Sequence, residues 1–457
     1  MFSHILYRCS PVWMQELLIA IRSAIRKVLR EDRYFRQFLA DIELQQYDSI
    51  QQLEQLHKKE LAVLLNRAES AIPFYQHSHE QAHITSTDPR QRLALFPLLH
   101  KKTIIANPNA FIASDTQKYP RFSNFTSGTT GTPLTMLQTL NSIKQENAFV
   151  RRQMYWAGYK EGDKLAWLRG DMIVPATEHK PPFWRMNRYD NTLMLSSYHL
   201  SKENTPAYLD ALSQFNPVLI QAYPSSIAYL ANGLLQRGQA THFPALKGIM
   251  TSSETLTDTQ RECIETAFGV RVFDWYGSVE RVAAIGTCEY GHYHIIEDYS
   301  FVECGTTAEE GISEIIGSCF HNTLMPLIRY ATGDLIELET PDTLCQCKRT
   351  FRRVKRVLGR MDATIKTPDG RSIGRLDHIY KGISGIIEAQ IVQESLDTIE
   401  IRVVPANNSG LPTATKQQLV SNLQARIGLN MTICITEVPS LPKTKSGKLL
   451  AVISKLN

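Results

Sequence analysis

Apolar residues recur along this chain with two periods, and the period changes from region to region. Between residues 11 and 30, Trp13, Leu17, Ile21, Ile25, Val28 and Leu29 fall at three- and four-residue steps, which predicts a helix with one apolar face. Arg22, Arg26, Lys27 and Arg30 give that helix a basic side. Such a helix usually docks on its own domain, and the alternative is a helix lying on a membrane surface. A second helix is expected from about Ser49 to Ser70, with Leu53, Leu56, Leu61, Leu64 and Leu65 on its buried face and Pro73 closing it. From 205 to 300 the pattern alternates. Pro206 to Phe215, Ser226 to Leu235 and Asp258 to Phe268 are helical in period, while Val218 to Ile220, Leu246 to Met250 and Val270 to Trp275 read as strands. This alternation implies a mostly parallel sheet with helices on its faces. Near the C-terminus, Ile386 to Val392, Thr398 to Val404 and Thr432 to Val438 read as strands and Lys416 to Ile427 as a helix, a small α+β unit.

Composition narrows the class. A chain of 457 residues can bury a large core and carries a prior of two to four domains. Its 43% hydrophobic and 21% charged content is that of a soluble globular protein. A net charge of +5 is too small at this size to argue for nucleic acid, and no nucleic-acid partner is expected. Eight cysteines are too sparse for a disulfide scaffold, which fits a reducing compartment. No apolar run is long enough to span a bilayer, and Glu16, Arg22, Arg26 and Lys27 interrupt the one stretch resembling a secretory core. A cytoplasmic location is therefore expected.

The candidate chemistry lies in ordered motifs. Thr126-Ser127-Gly128-Thr129-Thr130-Gly131-Thr132-Pro133 combines turn-permitting glycines with hydroxyls. It reads either as a donor-rich loop around a polyphosphate or as a polar hairpin turn. It is not a Walker A loop, since no Gly-Lys-Ser/Thr ending follows and Leu134 stands where a basic residue would be wanted. Ser252-Ser253-Glu254 and Tyr276-Gly277-Ser278-Val279-Glu280 each stand just after an expected strand, where ligands of parallel sheets bind. Tyr330-Ala331-Thr332-Gly333-Asp334, Gly359-Arg360-Met361-Asp362 and Leu441-Pro442-Lys443-Thr444-Lys445-Ser446-Gly447-Lys448 follow in that order.

This ordered set resembles the adenylate-forming superfamily of acyl-CoA synthetases and peptide-synthetase adenylation domains over nearly the whole chain. Phe74-Tyr75, Phe96-Pro97-Leu98-Leu99, Lys101-Lys102 and Tyr223-Pro224-Ser225 are similar to the phenylacetate–CoA ligase-like branch, which includes ligase-like proteins of capsular polysaccharide biosynthesis. The resemblance implies an α/β fold. A large domain, 1–359, with a helical extension over about 1–100, would carry mixed and parallel sheets. A small mobile α+β domain, 360–457, would turn on a hinge at Asp362.

It also implies an AMP-forming carboxylate ligase using ATP and Mg²⁺. Thr126 to Thr132 would cradle the β- and γ-phosphates, and Tyr276 would lie against adenine. Gly277 would let the nucleotide approach the main chain. Ser253, Glu254, Asp274 and Ser278 would complete the nucleotide site. Glu280 would bind Mg²⁺, as a hard oxygen ligand suits that ion. Asp334 would accept the ribose hydroxyls, with Arg360 close by. The bland alternatives are a Glu280–Arg281 surface ion pair and a turn role for Asp334 after Gly333. Lys448 is the implied catalytic lysine, a flexible point charge able to bridge the attacking carboxylate and the α-phosphate.

The substrate would be a small carboxylic acid, with an aryl acid weakly favoured by Trp156, Trp167, Tyr223 and Trp275. The acceptor would be coenzyme A or the phosphopantetheine of a separate carrier protein. An amine or hydroxyl acceptor in polysaccharide decoration, or a non-catalytic nucleotide-binding relative, stands as the rival reading.

Two features lie outside that machinery. Cys288, His294, Cys345 and Cys347 are a candidate structural Zn²⁺ set, with Cys304 and His292 in reserve, against the alternative of unrelated buried thiols. Lys348, Arg349, Arg352, Arg353, Lys355, Arg356 and Arg360 form a basic cluster. It reads as a solvated strand face, with a nucleic-acid patch or a phosphate-rich acceptor as alternatives.

Overall fold

The computed structural model describes residues 5–76, 86–115, 120–125, 134–175, 177–237, 243–307, 309–339, 343–360, 365–368, 372–373, 376–380, 383, 385–406, 409–444 and 448–456. The chain divides into two compact units. One comprises Met1–Ser23, Gly158–Val272 and Gly359–Asn457, and the other Ala24–Ala157 and Phe273–Leu358.

In the first unit the βα alternation becomes a parallel sheet. Strands Leu165–Arg169 and Thr192–Ser196 run parallel, Leu165–Arg169 pairs Leu219–Ala222 on its other side, and Leu219–Ala222 pairs Gly248–Ser252. Trp184–Asn187 closes one edge antiparallel to Thr192–Ser196. Leu219–Ala222 and Gly248–Ser252 are buried at every position, as expected of a strand covered on both faces. Helices Thr205–Phe215, Pro224–Gln236 and Asp258–Phe268 supply the cover, through Leu209, Leu212, Leu230, Leu234 and Ile264. The last helix has the limits the period predicts. A Thr257/Gln260 capping box starts it and left-handed Gly269 ends it.

The C-terminal part of this unit is a four-stranded sheet in the order Thr432–Glu437, Thr398–Pro405, Ile386–Ser395, Val452–Ser454, with helix Thr413–Ile427 packed on it. All four elements expected there are present. The short strand Val452–Ser454, parallel to Ile386–Ser395, was not legible in the pattern, yet it fixes the chain just after Lys448.

The N-terminal helix forms as Val12–Arg30, but it docks by the face opposite to its apolar stripe. Gln15 and Ile19 are buried, whereas Trp13, Leu17, Ile21, Ile25, Val28 and Leu29 are exposed. Docking rests on polar contacts. Arg185 donates to Gln15 Oε1 at 2.6 Å, Met186 N donates to Glu16 Oε1 at 2.9 Å, and Asn187 donates to Ser23 Oγ at 2.8 Å.

The second unit is largely antiparallel, over a stretch where the apolar pattern predicted only the strand Val270 to Trp275. Ser300–Thr306, Ile312–Cys319 and Tyr330–Leu338 form one antiparallel run. Arg353–Arg360, Tyr293–Ile295, Ala284–Thr287 and Val272–Gly277 form another. Helix Ile50–Ala71, capped by Ser49 and Gln52, lays Leu61, Leu64 and Leu65 on this core. Helix Leu140–Trp156 carries Arg152, which is 1% exposed and grips Asp298 through two hydrogen bonds of 2.5 and 2.9 Å.

Candidate functional site

In the second unit two distant motifs meet. Tyr276 is the penultimate residue of strand Val272–Gly277 and Asp334 lies in strand Tyr330–Leu338, and the Tyr276 hydroxyl donates to Asp334 Oδ2 at 2.8 Å. Burial, and then the Asp334 carboxylate, push the Tyr276 phenol well above its ordinary value, so it stays a neutral donor. Gly333, at φ +73°, makes the bend before Asp334, where a side chain would be strained. Its N–H donates to Glu314, and Thr332 Oγ accepts from Asp334 N while donating to Ile315 O. Asp334 is therefore a carboxylate held by the strand rather than a loose turn residue.

Glu280 is 5% exposed and accepts the Tyr330 hydroxyl at 3.2 Å. The bland alternative for Glu280 was an ion pair with Arg281. Arg281 instead donates to Ser142 O and Oγ and faces Glu146 at 3.7 Å. Glu280 is thus a buried carboxylate with a single hydroxyl donor among the described residues, an oxygen donor fit for a hard cation. Asp274 accepts the Tyr293 hydroxyl at 3.0 Å, and Ser278 follows with a buried hydroxyl that finds no partner among the described residues.

The first unit assembles a second group of charges. Arg169, at the carboxyl end of strand Leu165–Arg169, donates to Ser253 Oγ at 2.7 Å and lies over the rings of Trp167 and Tyr223. Ser253 holds φ +73°, a conformation costly for a residue with a side chain. Glu254 accepts two main-chain N–H groups, Ser225 N at 3.0 Å at the start of helix Pro224–Gln236 and Leu449 N at 2.8 Å. Burial raises the Glu254 carboxyl above its ordinary value. Leu449 is the residue after Lys448, so this contact fastens the C-terminal lysine segment. Thr444 and Lys448 close the segment on itself, with Thr444 N donating to Lys448 O and Lys448 N to Thr444 Oγ. The Lys448 ammonium has no carboxylate within 4.0 Å among the described residues, and burial, then Arg169, lower its pKa.

The structure therefore brings Ser253, Glu254 and Lys448 together, and separately Tyr276, Glu280 and Asp334. Arg360 ends strand Arg353–Arg360 and is exposed. Thr126 to Pro133, Lys445 to Gly447 and Asp362 lie outside the described residues. Sequence reading passed over Arg169 and gave Tyr330 no role within its motif. Arg169-Gly170-Asp171 follows an apolar run in the same way as Ser252-Ser253-Glu254 does, and that position was the available signal.

Cys288, His294, Cys345 and Cys347 converge in the second unit, all buried, with their ligand atoms within 4.8 Å of one another. Cys288 Sγ and Cys345 Sγ are 3.8 Å apart, and Cys347 Sγ and His294 Nε2 are 3.5 Å apart. Ligands about a tetrahedral zinc, at their usual bond lengths, would lie ~3.8 Å apart for two sulfurs and ~3.5 Å for sulfur and nitrogen. His294 Nδ1 faces Phe351 O at 3.1 Å, which leaves Nε2 as the ligating nitrogen. Neither Cys304 nor His292 joins the four.

Most of the basic cluster is paired with glutamates. Arg352 pairs with Glu297, Arg353 with Glu339, and Lys355 and Arg356 both with Glu337. Arg349 is 2% exposed, pairs with Glu289 and stacks on Trp156 at 3.8 Å, so it belongs to the core rather than to a solvated face.

Residues 365–455 match the CapK C-terminal domain family. Protein CapK of Staphylococcus aureus is 25% identical over 447 residues, 97% of each chain. Phenylacetate-coenzyme A ligase of Pseudomonas putida is 26% identical over 327 residues, 69% of this chain and 72% of that one. Among solved structures, 2-hydroxyisobutyryl-CoA ligase in the postadenylation state superposes with a TM-score of 0.65 at 19% identity, covering 87% of this chain and 88% of that one. The same ligase with CoA in its thioesterification state gives 0.55 at 20% identity, covering 89% and 90%. This likeness carries the fold.

Proposed function

Because the chain is a member of the adenylate-forming superfamily, in its phenylacetate–CoA ligase-like branch, we propose that it is an AMP-forming carboxylate ligase. A carboxylate oxygen attacks the α-phosphorus of ATP, the bond to the bridging oxygen breaks, and pyrophosphate leaves. A thiol of coenzyme A or phosphopantetheine then attacks the acyl carbon of the adenylate, loses its proton, and AMP departs. The single observation that carries this reading is the placement of Lys448. Lys448 is held beside Arg169 and Glu254, past the carboxyl ends of parallel strands, with no carboxylate within 4.0 Å of its ammonium among the described residues.

In this reading Lys448 offers its positive charge to the attacking carboxylate and the α-phosphate, where charge builds in the transition state. Glu254 acts through the main chain by fixing Leu449. Asp334 holds the ribose hydroxyls and Tyr276 lies against the base. The Thr126 to Thr132 loop takes the outer phosphates. Glu280 would hold Mg²⁺, which supplies charge neutralisation at the phosphates. The residues from about 360 would move as a small domain about Asp362 between the two half-reactions.

Acid-dependent exchange between ATP and pyrophosphate, measured across aryl, fatty and hydroxy acids, tests adenylation. A subsequent assay of coenzyme A, amines and alcohols against the formed adenylate separates the thiol acceptor from its rivals. An amine or hydroxyl acceptor remains the second reading, since Protein CapK aligns over 97% of this chain and the coenzyme A ligase over 69%.

For the four-residue centre we propose a structural Zn²⁺. Metal analysis of the purified protein is expected to give about one zinc per chain, as the four-ligand set requires, and Cys345→Ser is expected to remove it. A zinc-free wild type with the three thiols of Cys288, Cys345 and Cys347 titrating freely would sink the assignment.

A further inference from the structure

The N-terminal helix is amphipathic in the wrong sense for a helix that only packs on its own protein. A surface helix ordinarily buries its apolar stripe and shows water its polar face. Here the polar side carries Gln15, Glu16 and Ser23 onto strand Trp184–Asn187, and the apolar side faces outward. At 3.6 residues per turn, Trp13, Leu17, Ile21, Ile25, Val28 and Leu29 fall on one continuous face running the length of the helix, about 28 Å. Trp13 is 62% exposed and Val28 73%. Scattered exposed apolar residues need no explanation, but a contiguous stripe of six does.

The charges bordering the stripe indicate what covers it. On the same helical projection Arg22 flanks one border and Lys27 the other, with Arg26 and Arg30 further back. The one acid in the helix, Glu16, is turned into the protein and accepts Met186 N. Long basic side chains at both borders of an apolar face can keep their charges at a polar boundary while the face sinks below it. Among the described residues no helix is long and apolar enough to cross a membrane. A helix with this face and these borders lies in the plane of a bilayer surface, its apolar side at the headgroup–acyl boundary and its basic borders against anionic headgroups. A second protein surface of matching shape would not require basic residues along both borders.

We propose that Val12–Arg30 is an in-plane anchor that docks the protein, through its outward apolar stripe, on anionic phospholipid bilayers. The inference is independent of the ligase reading, since none of its residues belongs to either charge cluster described above.

The test is flotation of the full chain with vesicles of phosphatidylcholine alone and of phosphatidylcholine mixed with phosphatidylglycerol. The chain is expected to float with the mixed vesicles and to bind phosphatidylcholine at least ~10-fold more weakly, with binding reduced as salt shortens the reach of the charges. Leu17→Glu with Ile21→Glu alters two exposed positions, so the melting temperature is expected to hold while vesicle affinity falls at least ~10-fold. Arg22→Glu with Lys27→Glu is expected to remove the preference for phosphatidylglycerol. No flotation of the wild type, or equal flotation of the Leu17→Glu, Ile21→Glu chain, would overturn the proposal. So would a dimer in sedimentation analysis that the double variant dissolves without any vesicle binding by the wild type, because the stripe would then be an interface between copies.

Discussion

Buried charge is handled differently at two places, one in each unit. In the second, Arg152 meets Asp298 through two hydrogen bonds, gives a third to Ile42 O at 2.8 Å, and lies over Phe149, Trp156 and Phe351. Arg349 meets Glu289 with the same two-pronged geometry. In the first, Arg169 donates to a serine hydroxyl and lies over two rings, Glu254 accepts two main-chain N–H groups, and Lys448 has no ion-pair partner within 4.0 Å among the described residues. Paired charges hold a fold together at little risk to it. Charges brought near one another without partners retain interaction energy that a ligand can take up, and shifted ionisation accompanies that arrangement. In the proposed reading this difference separates structural charges from functional ones without any reference to sequence motifs.

The comparison can be broken from either side. The largest effect is expected at the structural pair. Asp298→Asn leaves the Arg152 guanidinium buried without its counter-charge and should cost about 3–5 kcal/mol of stability by urea denaturation. A loss below ~1 kcal/mol, the size seen for exposed pairs, would show that the second unit does not depend on pairing.

Next comes Lys448→Ala. It should leave the denaturation midpoint unchanged and reduce acid-dependent ATP–pyrophosphate exchange by about 10²–10³-fold, as for removal of one preorganised transition-state donor. Exchange that survives intact would mean that another group carries the charge.

The pH dependence sharpens the same point. In the proposed role the lysine acts as its ammonium, which exists below its pKa and is lost above it. Burial and Arg169 lower the Lys448 pKa from 10.5, so the alkaline limb of the exchange rate should fall at a pH below that value. Lys448→Arg should flatten that limb, since a guanidinium stays charged throughout. An identical limb in both proteins would assign the titration elsewhere.

The smallest effect is expected from Glu254→Gln. The amide oxygen can keep one of the two main-chain donors, so Leu449 should be held more weakly by about 1 kcal/mol. Limited proteolysis across residues 442–450 should then speed up ~5-fold, while the denaturation midpoint stays put. Unchanged proteolysis would show that the short strand Val452–Ser454 anchors this segment without help from Glu254.

Much of the architecture was legible before any coordinates. The helix Asp258–Phe268 and the strands around it were readable because two-sided burial forces continuous apolar strands and because Thr257, Gln260 and Gly269 mark the helix ends chemically. The second unit escaped for the converse reason. Strand Ser300–Thr306 alternates buried and less buried positions with Glu303, Cys304 and Gly305 among them, and Tyr293–Ile295 has only three residues, too few to establish a period. The outward stripe of Val12–Arg30 could not be read at all, because periodicity reports that a helix has two faces and is silent on which one is covered.

By itself the sequence determined the order of the motifs, the helices and strands of the parallel region and of the C-terminal sheet, and the residue types able to carry the chemistry, since all of these depend on local period and local turn chemistry. Only the tertiary structure decided that Tyr276 meets Asp334, that Arg169 joins Ser253, that Glu254 fastens the segment bearing Lys448, that two thiols 57 residues apart lie 3.8 Å from each other, and that most of the basic cluster is paired with glutamates. Each of these depends on which sheet edges pair and which faces are covered, and those choices are made by contacts between residues far apart in the chain, where a local pattern carries no information.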